Sequence, residues 1–592
     1  MTDTIGTYLT AHSAGMALTA TIEETYARIE KHNDPALFIA IRPKPEALAI
    51  AQRVQASGPQ GKPLFGVPFV VKDNIDVAGL PTTAACPAFA YRPATSAFVV
   101  KRLERAGAIV IGKTNLDQFA TGLVGVRSPY GVPRNALRGD LIPGGSSSGS
   151  ATAVGAGLVP FSLGTDTAGS GRVPAALNRI VGLKPSLGAL SASGVVPACR
   201  TLDTISVFAH DVADAFTVYQ QACAFDETDA YCRPFPQAAL SAFPSGVRLG
   251  VPRADQRQFF DDADASAAFS RDIQLAESLG ARVVEFDFEP FAQVAGALYE
   301  GPWVAERYAA TKALIENNPQ ALHPVTRGII EGARKFDAVA AFEAFYRLAD
   351  QKRKTSGVWS EFDIMLVPTA PRFYSVAEVM ADPIRLNSRL GTYTNFVNLL
   401  DLCAIAVPSS IRADGLPSSV TLVAPTGADG LIAGVAAEIE SRSSGSTRPV
   451  ASLRRQVNSR AKDERVEIAV VGAHLSGLPL NRELVELGAS FSREVETTPD
   501  YRLFALPGSS PAKPGLLRVS DGAGATIKAE VWTLDCAGFG AFVAKIPAPL
   551  GIGTIRLKDS GSVKGFLVES EAVKGADDIS RFGGWRAYLA AR

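Results

Sequence analysis

Gly164-Thr165-Asp166-Thr167-Ala168-Gly169-Ser170-Gly171, preceded by Pro143-Gly144-Gly145-Ser146-Ser147-Ser148-Gly149-Ser150, decides how this chain is read. Neither run suits a core helix or strand. Glycine at this density permits close backbone approach and unusual φ/ψ, which a binding loop needs. Turns or a flexible linker would also be glycine- and serine-rich, but apolar stretches flank both runs and the composition is not low-complexity. Upstream, residues 64–71 form an apolar run holding Gly66 and Pro68, which predicts a buried strand ending at Lys72-Asp73. Residues 21–32 place Ile22, Tyr26 and Ile29 at helical spacing before Asn33-Asp34-Pro35. Residues 99–106 read as a helix and 108–111 as a β-branched strand. Such alternation predicts an α/β sheet buried on both faces.

The 592 residues are 47% hydrophobic and 20% charged, enough to bury a large core and too apolar for disorder. Lys+Arg and Asp+Glu both number 59, which argues against a broad footprint for nucleic acid. Cys86, Cys199, Cys223, Cys232, Cys403 and Cys536 form no C-x-x-C pair, so they read as buried thiols in a reducing compartment. Met1-Thr2-Asp3-Thr4-Ile5-Gly6 lacks the features of a signal peptide, and no run of ~20 apolar residues follows. The expectation is a soluble cytoplasmic protein with no membrane partner. Residues 1–440 form the first domain in this reading. Residues 441–465, rich in Ser, Arg and Lys, form a linker. Residues 466–592 form a β-rich tail, with strands at 466–471, 501–506, 516–519, 527–534 and 563–568.

Gly107-Ala108-Ile109-Val110-Ile111-Gly112-Lys113-Thr114 fits the phosphate-loop pattern, but its intervening residues should themselves be the strand. The five histidines are scattered and no H-E-x-x-H occurs. Neither a metal nor a cofactor is expected. Serine beside glycine remains as the candidate chemistry. A serine nucleophile needs a base. Lys72, at the end of a buried strand, can be that base if burial lowers its pKa from ~10.4 toward neutrality.

Val71-Lys72-Asp73-Asn74, the two Gly/Ser runs, Gly182-Leu183-Lys184-Pro185 and Thr201-Leu202-Asp203-Thr204 together resemble the amidase signature family over residues 20–430. Ser146 follows Lys72 by 74 residues, and Ser170 follows Ser146 by 24, close to the family's spacing. The resemblance implies an α/β/α sandwich around a central mixed β-sheet and a Ser–cis-Ser–Lys triad. Ser170 would be the nucleophile, Ser146 the bridging serine behind a cis peptide, and Lys72 the base. N–H groups of Thr167, Ala168, Gly169 and Ser170 would form the oxyanion hole. Ser148 stands where the family often has Gly, and Gly171 where it often has Ile; neither departure removes a catalytic group.

Two further stretches, Gly122-Leu123-Val124-Gly125-Val126-Arg127-Ser128-Pro129-Tyr130-Gly131 and Leu298-Tyr299-Glu300-Gly301-Pro302-Trp303-Val304-Ala305-Glu306-Arg307-Tyr308, are similar to allophanate hydrolases. Val470-Val471-Gly472-Ala473-His474-Leu475-Ser476-Gly477-Leu478-Pro479-Leu480-Asn481 resembles their C-terminal domain. The implied substrate is allophanate, cleaved at its terminal amide to give ammonia and CO2 overall. Tyr299, Arg307, Gly122 and Gly125 would bind it. Arg307 can grip a carboxylate with a bidentate fork, and Tyr299 can hydrogen-bond it. Eight residues is about two helical turns, which puts Tyr299 and Arg307 on one helix face. The tail would be an α+β domain similar to the γ-glutamylcyclotransferase fold, linked in relatives to decarboxylation or to assembly. His474, its single histidine, is the candidate site residue there. A homodimer is implied. So is a separate urea carboxylase, since no biotin-carboxylation segment is evident; a urea or a triazine-type route would then feed the enzyme.

Three other readings compete. A different amidase would not need Arg307. A subunit of an amidotransferase, working on aminoacyl-tRNA in a complex, sits poorly with zero net charge. A non-catalytic binding protein sits poorly with intact Lys72, Ser146 and Ser170.

Overall fold

The computed structural model describes residues 4–236, 238–443, Val450, Arg454, Val457, 465–508, 510–559 and 561–592. The large sheet is built from β1 (Phe38–Ile41), β2 (Pro68–Lys72), β3 (Ile109–Thr114), β4 (Phe161–Asp166), β5 (Val181–Lys184), β6 (Thr204–Ala209), β7 (Arg248–Pro252), β8 (Arg282–Phe286), β9 (Ile364–Pro368), β10 (Leu402–Ile411) and β11 (Pro417–Pro425). Their order across the sheet is β1-β3-β2-β4-β6-β5-β10-β11-β9-β7-β8. It is a mixed sheet: β2 is parallel to β3 and β4, whereas β4 and β6 are antiparallel.

Alternation of side chains explains why the sheet is buried on both faces. Phe69 and Val71 of β2 enter one core with Val110 of β3. Val70 enters another with Ile109 and Ile111. Phe69 stacks on Phe161 across β2 and β4, ring centroids 4.9 Å apart. Because β2, β3 and β4 run parallel, their carboxyl ends share one edge, the usual place for a site in such a sheet. Lys72, Asp117 and the loop to Ser170 all follow those ends.

The expected helices at 21–32 and 99–106 are Leu18–His32 and Phe98–Arg105. The expected strand at 64–71 is shorter. Gly66, at φ 74°, turns the chain, and the N–H groups of Leu64 and Gly66 donate to Ala106 and Gly107, so β2 starts only at Pro68. β3 runs on to Thr114, which puts Gly112-Lys113-Thr114 in the sheet rather than in a phosphate-binding loop.

The tail carries β12 (Arg465–Val470), β13 (Ser490–Glu496), β14 (Tyr501–Ala505), β15 (Pro514–Arg518), β16 (Lys528–Asp535), β17 (Leu550–Leu557), β18 (Gly561–Val568) and β19 (Asp577–Asp578). A five-stranded sheet, β13-β16-β12-β18-β17, and a three-stranded one, β15-β14-β19, enclose their own core around Ile468, Phe491 and Trp532. The five strands read from sequence all have counterparts. β13 and β17 escape the sequence pattern, because Arg493-Glu494 and Gly551 with Gly553 interrupt their apolar runs. The tail is tied to the first unit where Ala242 N donates to Phe491 O (2.7 Å) and Ser490 Oγ to Ala239 O (2.6 Å). Of the segment 441–465 expected as a linker, the helix Asp429–Ser443 takes the first three residues; 444–449, 451–453, 455–456 and 458–464 lie outside the described residues. Among the described residues no helix is long and apolar enough to cross a membrane.

Candidate active site

Lys72 ends β2 with its side chain fully buried. Its Nζ donates to Ser146 Oγ at 2.8 Å and to Thr165 Oγ1 at 2.7 Å. Burial pushes the Lys72 ammonium down to about 7, against the opposing pull of Asp117, Asp203 and Asp166. The Gly145–Ser146 peptide is cis. Gly145 cannot be replaced there: a Cβ would lie 2.1 Å from Asp117 Oδ2 and 2.6 Å from Gly125 N. Ser146 O accepts from Asp117 N at 3.0 Å, and the helix Ser148–Gly155 then carries the chain away.

Ser170 lies between β4 and the short helix Val173–Leu177. Its Oγ donates to Gly122 O at 3.5 Å. Gly169, at φ 139°, lets the loop turn under Thr394. Among the described residues nothing accepts from the N–H groups of Thr167, Ala168, Gly169 or Ser170. The loop is fixed from its ends. Asp166 accepts from Gly171 N (2.9 Å) and from Arg172 through both carboxylate oxygens (2.9 Å each). Thr167 Oγ1 donates to Asp203. Burial pushes the Asp203 carboxyl up to about 6, opposed by hydrogen bonds from Thr167, Cys199 and Ala198.

Gly122 and Gly125 sit in a turn organised by one carboxylate. Asp117 accepts from the N–H groups of Val124 (3.2 Å), Gly125 (2.9 Å) and Arg127 (2.9 Å). Tyr299 and Arg307 do meet, but not on one helix. Tyr299 ends the helix Glu289–Glu300 and Arg307 belongs to Val304–Asn317. Pro302 supplies no N–H, and Gly301 before it is extended, so the helix stops between them. The turn folds the Arg307 guanidinium over the Tyr299 ring, 5.3 Å from its centroid. Arg307 is 1% exposed, with one nitrogen 2.9 Å from Cys199 Sγ. Arg307 Nε and Nη2 and the Tyr299 hydroxyl are buried with no hydrogen-bond partner. A cavity of about 500 Å3 opens beside Tyr299, lined also by Arg127, Asn387 and Asn395.

Sequence reasoning did not single out Thr165, Asp117, Cys199, Asp203 or Arg127. The quoted stretches contained Thr165, Asp203 and Arg127, but their partners are distant in sequence. His474 lies in the tail, on a separate cavity of about 280 Å3 with Glu483, Lys513 and Lys545. Its ring stacks on Phe566 at 5.2 Å and its Nε2 is 3.1 Å from Glu483 Oε2. Burial holds its pKa below the usual histidine value, with Glu483 opposing.

The amidase family model matches residues 20–432, and the allophanate hydrolase C-terminal domain model matches residues 466–590. Urea amidolyase of Saccharomyces cerevisiae is 44% identical over 544 residues, covering 89% of this chain and 30% of that protein. The chain thus spans under a third of the length of that relative. The selenomethionine-substituted allophanate hydrolase structure of Kluyveromyces lactis superposes with a TM-score of 0.77 at 40% identity, over 100% of this chain and 99% of that one. One component of the glutamyl-tRNA(Gln) amidotransferase of Symbiobacterium thermophilum is 36% identical over 400 residues, covering 62% of this chain and 80% of that one. The chain belongs to the amidase family and carries an allophanate hydrolase C-terminal domain behind its amidase unit.

Proposed function

We propose that the protein is an amidohydrolase that hydrolyses allophanate at its terminal amide by Ser–cis-Ser–Lys chemistry. The observation that carries the substrate is the pairing of Arg307 with Tyr299, both holding unpartnered buried hydrogen-bonding groups. A buried guanidinium with free donors suits a carboxylate. A simple amide offers none.

In this reading neutral Lys72 takes the proton of Ser146 as Ser146 takes that of Ser170. Ser170 Oγ attacks the terminal carbonyl carbon. The oxyanion lodges against the N–H groups of residues 167–170, each such donor contributing about 3–4 kcal/mol. The relay reverses to protonate the leaving nitrogen, which departs as ammonia. Water then enters by the same relay and cleaves the ester. The product, an amine bearing two carboxylates, loses CO2 to give a carbamate, and this breaks down to the second ammonia and CO2. The tail cavity at His474 is the candidate place for the decarboxylation. An enzyme that carboxylates urea would supply the substrate.

We also propose a cytoplasmic homodimer. Among the described residues none of the six cysteines is joined in a disulfide, which fits a reducing compartment. The helix Ala338–Ser356 exposes Val339, Phe342, Phe345 and Tyr346, apolar surface that a second copy would cover.

The test is ammonia release by the purified protein on allophanate, beside urea, malonamate and propionamide, with Ser170→Ala as the blank. Allophanate turnover that vanishes in the blank is expected. Turnover of propionamide but not of allophanate would keep the triad and overturn the substrate.

A further inference from the structure

Arg127 is 1% exposed, yet among the described residues it forms no ion pair with a carboxylate. Its Nη1 donates to Thr121 O (2.9 Å) and its Nη2 to Pro383 O (2.6 Å). Both are neutral carbonyls. Its Nε has no partner. The Asp117 carboxylate faces Arg127 across Gly122, where an added Cβ would lie 2.6 Å from Asp117 Oδ2, but it accepts from three backbone N–H groups and makes no direct ion pair with the guanidinium. A buried cation with an unused donor and no direct counter-ion is expensive unless a ligand completes it.

Its surroundings say which ligand. Arg127 lines the 500 Å3 cavity together with Tyr299. Its guanidinium lies against Gly122, where an added Cβ would be 3.1 Å from Arg127 Nη1. Gly122 O in turn accepts from Ser170 Oγ. The charges of Arg127 and Arg307 influence one another and both act on the Tyr299 phenol, so the three groups share one neighbourhood. Two buried guanidinium groups, neither in a direct ion pair with a carboxylate among the described residues, thus lie in the neighbourhood of one buried phenol, with Asp117 acting on Arg127 and Asp203 and Glu306 on Arg307 from a distance.

We infer that Arg127 is a second cation of the substrate-anion pocket, a specificity-determining residue that selects amides bearing a carboxylate. Arg307 presents its free Nε and Nη2 to that carboxylate. Arg127 supplies charge from the cavity side, and its two carbonyl contacts fix the guanidinium before substrate arrives. The assignment rests on the proposed allophanate hydrolysis for its substrate, but not for its chemistry: any small amide with a carboxylate would be held in the same way.

The experiment is calorimetric binding to full-length Ser170→Ala protein. Malonamate is the probe, an isostere of allophanate in which CH2 replaces NH. Malonamide, the neutral diamide, is the control. Adding Arg127→Met is expected to weaken malonamate binding by about 30-fold and malonamide binding by under about threefold, with Arg127→Lys between, the range for loss of one buried charge contact. Equal weakening on both ligands makes Arg127 a structural residue and overturns the inference, as does unchanged malonamate affinity. If Arg127→Met does not fold, Arg127→Lys carries the comparison by the same ratio. Failure of the allophanate assay with a retained malonamate ratio would remove the proposed substrate and leave the anion pocket standing.

Discussion

Arg172 and the pair Arg127 and Arg307 are all buried near the Ser170 loop, yet their charges are handled differently. Arg172 has Asp166 in bidentate contact at 2.9 Å and also donates to Thr394 O and Asn398 Oδ1. Arg127 and Arg307 have carbonyls, a thiol and empty donors. The first arrangement fixes a loop. The second, in the proposed reading, waits for an anion. A buried cation is thus structural or functional according to whether the chain itself supplies its counter-charge.

The sharpest way to break that distinction is to remove the paired cation. Arg172→Met would strand Asp166 in the core and should cost about 3–5 kcal/mol of stability, read from urea denaturation. A loss under 1 kcal/mol would void the contrast. Next is Arg307→Met, which breaks no direct ion pair among the described residues, although it takes a distant positive charge away from Asp203. Stability should hold while kcat/KM on allophanate falls on the order of 100-fold, about 2.7 kcal/mol, through KM. A fall in Tm to match Arg172→Met would make the two arginines alike. Thr167→Val removes the hydroxyl bonded to Asp203 and should cost about 1 kcal/mol, a roughly fivefold loss in kcat with KM retained. The smallest effect is one of pH. In the proposed relay Lys72 acts when neutral, so kcat/KM should rise with pH through about 7. Asp203 raises the Lys72 pKa, so Asp203→Asn should lower it and move the acid limb to lower pH. A limb that moves upward, or stays put, would show that Asp203 acts on the loop alone.

Local pattern was enough for much of the fold. The hydrophobic alternation of β2 and β3, the helix before Asn33 and the two glycine-serine runs are all properties of adjacent residues. Gly301-Pro302 was also written in the chain, and spacing alone misled there, because eight residues make two turns only if no proline intervenes. Gly66 shortened β2 for a similar reason. The rest was non-local. Arg307 meets Cys199 across 108 residues, and Lys72 meets Thr165 across 93. Arg127 looks like any arginine in a loop until its burial and lack of a counter-ion are known. The roles of Lys72, Ser146 and Ser170 came from a resemblance; the residues alone offered a lysine at a strand end and serines among glycines.

Tyr299 and Arg307 stand on the helices that follow β8, whereas Lys72 ends β2, Ser146 lies in the loop before the helix Ser148–Gly155, and Ser170 lies in the loop after β4. In the proposed reading, much of the selection is therefore carried by a segment separate from the reacting groups. Replacing the segment 289–317 with one that presents a different polar group, together with position 127, would retarget the enzyme while leaving its reaction intact, and a directed-evolution campaign could confine its library to that segment and that one position.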